Sequence, residues 1–171
     1  GVKSMIPDAN ITYSQGTTIL ETELPTMPDN LFYTSDGNPG VKAEYFKGFN
    51  IKKEPDLVRI EKSPNISWEF DGTPDSTIFE PNSFSVRFSG NIVVQKSGSY
   101  KINVNGIDGL KFYFQGKKLV DKVSENYSHT TFKTSYLDKG TQYPFSLEYF
   151  EDEGWGEVRL GISEIKEGLI D

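Results

Sequence analysis

The sequence predicts an all-β domain built as a two-sheet antiparallel β-sandwich or barrel. Apolar and polar residues alternate through most of the chain, as where Tyr100, Ile102 and Val104 are interleaved with Lys101, Asn103 and Asn105. Turn chemistry recurs at a spacing of roughly ten residues, the rhythm of short antiparallel strands. The 171 residues include 12 Phe, 9 Tyr, 2 Trp and 16 Gly, so burial is largely aromatic and turns are frequent. No segment of helical period runs beyond about two turns, and there is no internal repeat.

Residues 1–16 read as a fragment of an α/β unit. Val2, Met5 and Ile6 suit the tail of an amphipathic helix that Pro7 ends, and Ile11-Thr-Tyr13 is a short strand stopped at Gly16. A disordered tail or a private edge strand is the alternative. Residues 17–39 read as a surface-crossing linker, because Pro25, Pro28 and Pro39 forbid a helix and remove ladder donors. Within it Leu31-Phe-Tyr33 is the part able to dock. The domain proper spans residues 40–163, starting with a strand in which Val41, Ala43 and Tyr45 face one way. Short strands follow at 57–60 and 65–70, with Trp68 as a core residue, then an inward row of Phe84, Val86 and Phe88, and a further run from Gly90 to Gln95.

The centre of the pattern is Gly98 to Val120. A strand ending near Asn105, turn residues Asn105–Gly109, a strand with Leu110, Phe112 and Phe114 inward, and a tight turn at Gln115-Gly116-Lys117 read as a β-meander. Residues 123–129 read as polar loop, 130–136 and 143–150 as strands, Glu151–Gly154 as an acidic hairpin loop, and 157–162 as the closing strand. Residues 164–171 read as re-entry into a helix.

Composition excludes several functions. A net charge of −7 opposes binding to nucleic acid and to anionic membrane surfaces. The absence of cysteine removes disulfides, thiolate catalysis and zinc–thiolate sites. No run approaches the roughly 18 apolar residues of a membrane span. Gly106 to Gly109 joins two strands and is no phosphate loop. His129, the single histidine, lies in a polar context without a nucleophile ordered beside it, and the 25 Asp and Glu fall mostly in turns or at outward strand positions. No catalytic residue, metal site or cofactor is therefore assigned.

Spaced blocks of the chain resemble the PA14 domain family. They are Gly40-Val-Lys-Ala-Glu-Tyr-Phe46, Phe84-Ser-Val-Arg-Phe-Ser-Gly90, Tyr100, the Asp108-Gly109 turn with Lys111-Phe-Tyr-Phe114 and Gly116-Lys117, Phe145-Ser-Leu-Glu-Tyr-Phe150, and Gly154-Trp-Gly-Glu-Val-Arg-Leu-Gly161. Gly1-Val-Lys3 and Ile11-Thr-Tyr-Ser-Gln-Gly16 in turn resemble the second domain of family 3 glycoside hydrolases, some of which carry an inserted PA14 domain at that point. The resemblance implies a non-catalytic module of a β-glucosidase-like parent that hydrolyses O-glycosyl bonds, exported to the periplasm or outside the cell. The module would shape substrate choice at the rim of the host active site, with an oligosaccharide or glycoside and the host domains as partners. An independent lectin- or adhesin-like module and a spacer domain are the competing expectations.

Asp108 stands where PA14 lectins place the second of two adjacent aspartates that bind calcium. The first position is Ile107, which removes both a ligand and a charge, so no functional calcium is expected. The expected substrate-binding residues are Asp108 on the Asn105–Gly109 loop, Asn126 and Tyr127 on the 123–129 loop, and Asp152, Glu153 and Trp155 on the acidic loop. A Trp beside glycine can offer a flat apolar face to a sugar ring, and carboxylates accept hydrogen bonds from hydroxyls. The competing reading makes Trp155 a cap on the sandwich end.

Overall fold

The computed structural model describes residues 23–70, 72–123, 127–152 and 154–166. The expected stub at 1–16, the candidate residues Asn126 and Glu153, and the end of the expected re-entry segment lie outside these residues. The described residues form eleven strands: β1 Phe32–Tyr33, β2 Val41–Lys47, β3 Leu57–Glu61, β4 Ile66–Trp68, β5 Phe84–Ile92, β6 Tyr100–Ile107, β7 Gly109–Phe114, β8 Lys117–Lys122, β9 Tyr127–Lys133, β10 Tyr143–Glu151 and β11 Gly156–Glu164. Among the described residues the only helical element is a 3-10 turn at Asp29–Leu31.

The strands form two antiparallel sheets. One has the order β3-β2-β5-β10-β7-β8, with β1 also on β5; the other has the order β4-β11-β6-β9. Alternation drives this arrangement, since Tyr45, Val86, Phe88, Leu110, Phe112, Leu147 and Tyr149 of the first sheet and Ile102, Val104, Val158 and Leu160 of the second are all buried in one core. Trp68 is buried as expected, stacked on Tyr149 at 5.4 Å and set edge-on to Phe84. On the outer face of the larger sheet, Glu44, Arg87, Glu148 and Lys111 lie in cross-strand register as a charge ladder with N–O separations of 3.4, 3.6 and 3.8 Å.

The structure corrects several expectations. β6 and β7 do not pair as neighbours in a meander; they belong to different sheets, and the chain changes sheet at Asp108, whose φ is +70°. The β7–β8 hairpin forms as expected through Gln115 and Gly116, both at positive φ. β10 and β11 likewise lie in different sheets, so residues 152–155 make an inter-sheet corner and not a hairpin loop. The runs read separately at 84–88 and 90–95 join as the single strand β5. At Gly90 an added Cβ would meet the Tyr33 carbonyl at 2.6 Å, so the glycine there admits the backbone of β1. β9 begins at Tyr127, which places half-buried His129 on a strand instead of in a loop.

Residues 23–39 are also more than a surface crossing. Met27, Leu31 and Phe32 are buried, and Phe32-Tyr33 pairs with β5. Residues 25–27 run beside β11, with Met27 N–H donating to Leu160 O at 2.7 Å and Ile162 N–H to Pro25 O at 2.9 Å. The prolines block helix but still leave the donors and acceptors needed here, so the apolar Met27 and Phe32 carry the segment into the core. At the other end Glu164 completes β11, and Ile165 N–H donates to Ser99 O.

Candidate ligand-binding site

Four changes of sheet converge at one end of the sandwich. β4 leads to β5 after Trp68, β6 to β7 through Asp108, β8 to β9 after Lys122, and β10 to β11 after Glu151. Register brings them together: Ile107 sits between Glu157 and Tyr127, Gly109 opposes Phe150, and Gly156 opposes Trp68. Hydrogen bonds fasten the corners to one another, with Asp152 N–H donating to Asp108 Oδ2 at 3.4 Å and Gly154 N–H to Asn82 Oδ1 at 3.1 Å.

Of the residues expected from sequence, Asp108, Tyr127, Asp152 and Trp155 are thus brought to the same end. Asp108 is buried and serves the neighbouring corner, whereas Tyr127 is 56% exposed and Trp155 is 41% exposed. Phe70 had no functional reading in the sequence. Its parity with Trp68 marks it as a core residue, but β4 stops at Trp68 and the chain turns, with Gly72 N–H bonded to Glu69 O. Phe70 is left 74% exposed, edge-on to Trp155 with ring centroids 6.4 Å apart. The strand's early stop could not be read from alternation; the Asp71-Gly72 turn signal directly after Phe70 was the available clue.

The sequence places Glu151 on the acidic loop expected to meet ligand, and its burial is not legible there. Glu151 ends β10 and is only 1% exposed. The Tyr149 hydroxyl donates to its Oε2 and itself accepts the Glu157 N–H at 3.2 Å. Glu151 Oε1 is buried and finds no hydrogen-bond partner among the described residues. Gly156 packs directly on this carboxyl: an added Cβ would lie 2.0 Å from Oε2 and 3.0 Å from the Tyr149 oxygen. Burial, reinforced by the charges of Asp108 and Asp152, raises the Glu151 pKa to about 7, against the opposing effect of the Tyr149 hydrogen bond. Burial likewise raises the Tyr149 hydroxyl, with Glu151 adding to it. Among the described residues, no group of three or more His, Cys, Asp or Glu is placed to hold a metal ion. The site can therefore offer two exposed aromatic faces beside carboxylate acceptors.

The PA14 domain model matches residues 37–170. The chain belongs to the PA14 domain family. A curated relative, the anti-sigma-I factor RsgI3 of Acetivibrio thermocellus, is 27% identical over 112 residues, covering 66% of this chain and 17% of the relative. This PA14 chain therefore spans about a sixth of that protein. A solved anti-sigma factor domain-containing protein from Clostridium clariflavum superposes with a TM-score of 0.64 at 28% identity, covering 74% of this chain and 42% of its own. A β-glucosidase from Kluyveromyces marxianus, solved in complex with glucose, superposes with a TM-score of 0.66 at 18% identity, covering 85% of this chain and 18% of its own. At that identity the second likeness is one of fold.

Proposed function

We propose that this PA14 domain is a non-catalytic glycan-contacting module whose contacts lie at the four-corner end of the sandwich. The observation that carries the reading is the solvent-facing Phe70–Trp155 pair, in which Trp155 stands on the corner that also presents Asp152. Exposed aromatic rings of this size are costly to leave in water and stack well on the C–H face of a sugar, while the neighbouring carboxylate fixes hydroxyls. In the finer form of the reading, the parent is a family 3 β-glycosidase, and this end forms a rim that sorts oligosaccharides by sterics and stacking. The Ile11-Thr-Tyr-Ser-Gln-Gly16 phrase and the fold shared with the β-glucosidase support that parent and a periplasmic or extracellular location.

A second parent is favoured by a different observation. The identities of 27% and 28% to anti-sigma factor proteins exceed the 18% to the glucosidase, which supports a glycan-sensing domain of a signalling protein. Both parents need the same contact surface. The test is titration of the 171-residue chain with a panel of β-linked oligosaccharides, alongside Trp155→Ala and Phe70→Ala. The expected result is saturable binding that each substitution weakens by roughly tenfold or more, the scale of one stacking contact. Binding that is undiminished in both variants sinks the proposal. Removing residues 40–163 from a glycosidase parent separates the two hosts, because only the rim reading predicts a changed ranking of substrates with small aryl glycosides still hydrolysed.

A further inference from the structure

The 152–155 corner is tied at both of its ends to one buried carboxyl. On its N-terminal side stands Glu151 itself; on its C-terminal side Gly156 packs against Oε2, and the Glu157 N–H reaches the same carboxyl through the Tyr149 hydroxyl. The groups facing this carboxyl come from every neighbouring element. Tyr149 lies two residues before it on β10, Asp152 follows it at the start of the corner, and Asp108 approaches from the β6–β7 corner. On β11, Glu157 contributes its backbone N–H while its side chain is held by Arg159. On β5 its register partner is the apolar Phe84, and Trp68 of β4 covers Tyr149. Among the described residues the charged groups acting on Glu151 are both negative, and its Oε1 is buried without a donor.

We infer that Glu151 is a proton-operated latch: neutral, it keeps the 152–155 corner closed on the sandwich end, and ionised, it lets that corner open. A neutral carboxyl fits the dry cradle, accepts the Tyr149 hydrogen bond and adds no charge beside Asp108 and Asp152. An ionised one leaves Oε1 charged and unsatisfied, and hydration is reached by lifting the corner away from Gly156. The same motion releases Asp152 from Asp108 and Gly154 from Asn82, so the exposed Trp155 loses its fixed place against Phe70. The latch rests on the ligand-site reading only for what it serves: ligand contact through Asp152 and Trp155 would be strongest on the acidic side of neutrality.

Hydrogen exchange of the 171-residue chain without glycan tests the latch directly. The amides of Asp152, Gly154 and Glu157 report it, compared at about pH 6 and about pH 8 after correction for intrinsic rates. With carboxyl pKa values of about 7 closed and 4.5 open, protection should fall about tenfold across that interval. Glu151→Gln should abolish the dependence. Protection that does not change in the native chain, or that changes equally in Glu151→Gln, overturns the latch. Should that variant fail to fold, the carbon-13 carboxyl titration of native Glu151 decides: a midpoint near neutrality supports the latch, and one in the ordinary carboxylate range refutes it. Glycan titrations at the two pH values are read separately. An intact latch in a chain that binds no glycan refutes the ligand reading and leaves the latch standing.

Discussion

Asn65 joins two pieces of chain into one sheet edge, and removing its amide is the sharpest test of how this domain begins. β4 covers β11 only from Gly156 to Val158, and residues 25–27 take over beside 160–162. The Asn65 side chain fills the interval between them: Nδ2 donates to Met27 O at 2.9 Å, and Oδ1 accepts the Leu160 N–H at 2.8 Å. It acts as a peptide unit supplied by a side chain. Met27 and Leu160 are almost wholly buried, so Asn65→Ala strands a carbonyl and an amide where water has poor access. At about 1–3 kcal/mol for each stranded group, the variant should lose roughly 2–6 kcal/mol. For a chain of this size that is a fall in Tm of about 4–24 °C. Asn65→Asp keeps the acceptor and loses the donor, and should fall between the two. Urea unfolding followed by Trp fluorescence gives the numbers. A loss below about 0.5 kcal/mol for Asn65→Ala would mean that residues 25–27 do not hold the edge, and that a chain starting at Gly40 is a complete domain. The expected result is the opposite: starting at Gly40 removes Met27, Leu31 and Phe32 from the core and costs several kcal/mol.

Three further outcomes follow from the same contacts. Stability should drop by roughly 2–3 kcal/mol between about pH 5 and pH 8, because Glu151, with its pKa raised to about 7, keeps a proton in the folded state that the unfolded chain has already lost. Glu151→Gln should flatten that limb. It should leave the acid limb, to which Asp56, Asp75 and Asp121 contribute as carboxylates held below their usual range by hydrogen bonds from Lys53, Thr77 and Lys118. Millimolar calcium should leave Tm unchanged, since Ile107 stands in place of a carboxylate beside Asp108; a rise that EGTA reverses would show that the remaining oxygens suffice. Phe70→Ala should change stability by less than about 1 kcal/mol, its ring being mostly in water; a larger loss by urea titration would make Phe70 a structural cap instead of a ligand contact.

The sandwich was legible because alternation is a local property, and each inward row, such as Phe84-Val86-Phe88 or Leu110-Phe112-Phe114, states its own face. Which strand lies in which sheet is not local. Asp108-Gly109 and Glu151–Gly154 carry the same turn residues whether the chain folds back on its own sheet or crosses to the other. Both were therefore read as connections within a sheet, and both are crossings. Asp108, Asp152 and Trp155 could be singled out as polar or aromatic residues near glycines, and Tyr127 as part of a polar loop. The exposure of Phe70 and the burial of Glu151 could not be read, for opposite reasons. Phe70 has the parity of the core and is expelled by a strand that ends two residues early; Glu151 has the company of exposed acids and is drawn in by Tyr149 and Gly156.

These two inversions fall at the same end because that is where the packing rules are weakest. Along the strands, every side chain is assigned by pleat and register, and a substitution must respect the core. At the corners the chain leaves one sheet for the other, and its residues are held by a few specific contacts: Asp152 on Asp108, Gly154 on Asn82, Gly156 on Glu151. Such positions can change without disturbing the aromatic core, so a rigid body can present different surfaces in different parents. Ile107 illustrates the freedom, since it stands where an acid stands in calcium-binding members and still keeps its place in the β6 ladder between Glu157 and Tyr127. What this chain has placed at that end is an exposed aromatic pair, and at the end of β10 a buried acid whose pKa is raised toward neutrality. Recognition and its regulation would then reside in the four crossings, with the eleven strands serving to hold them in register.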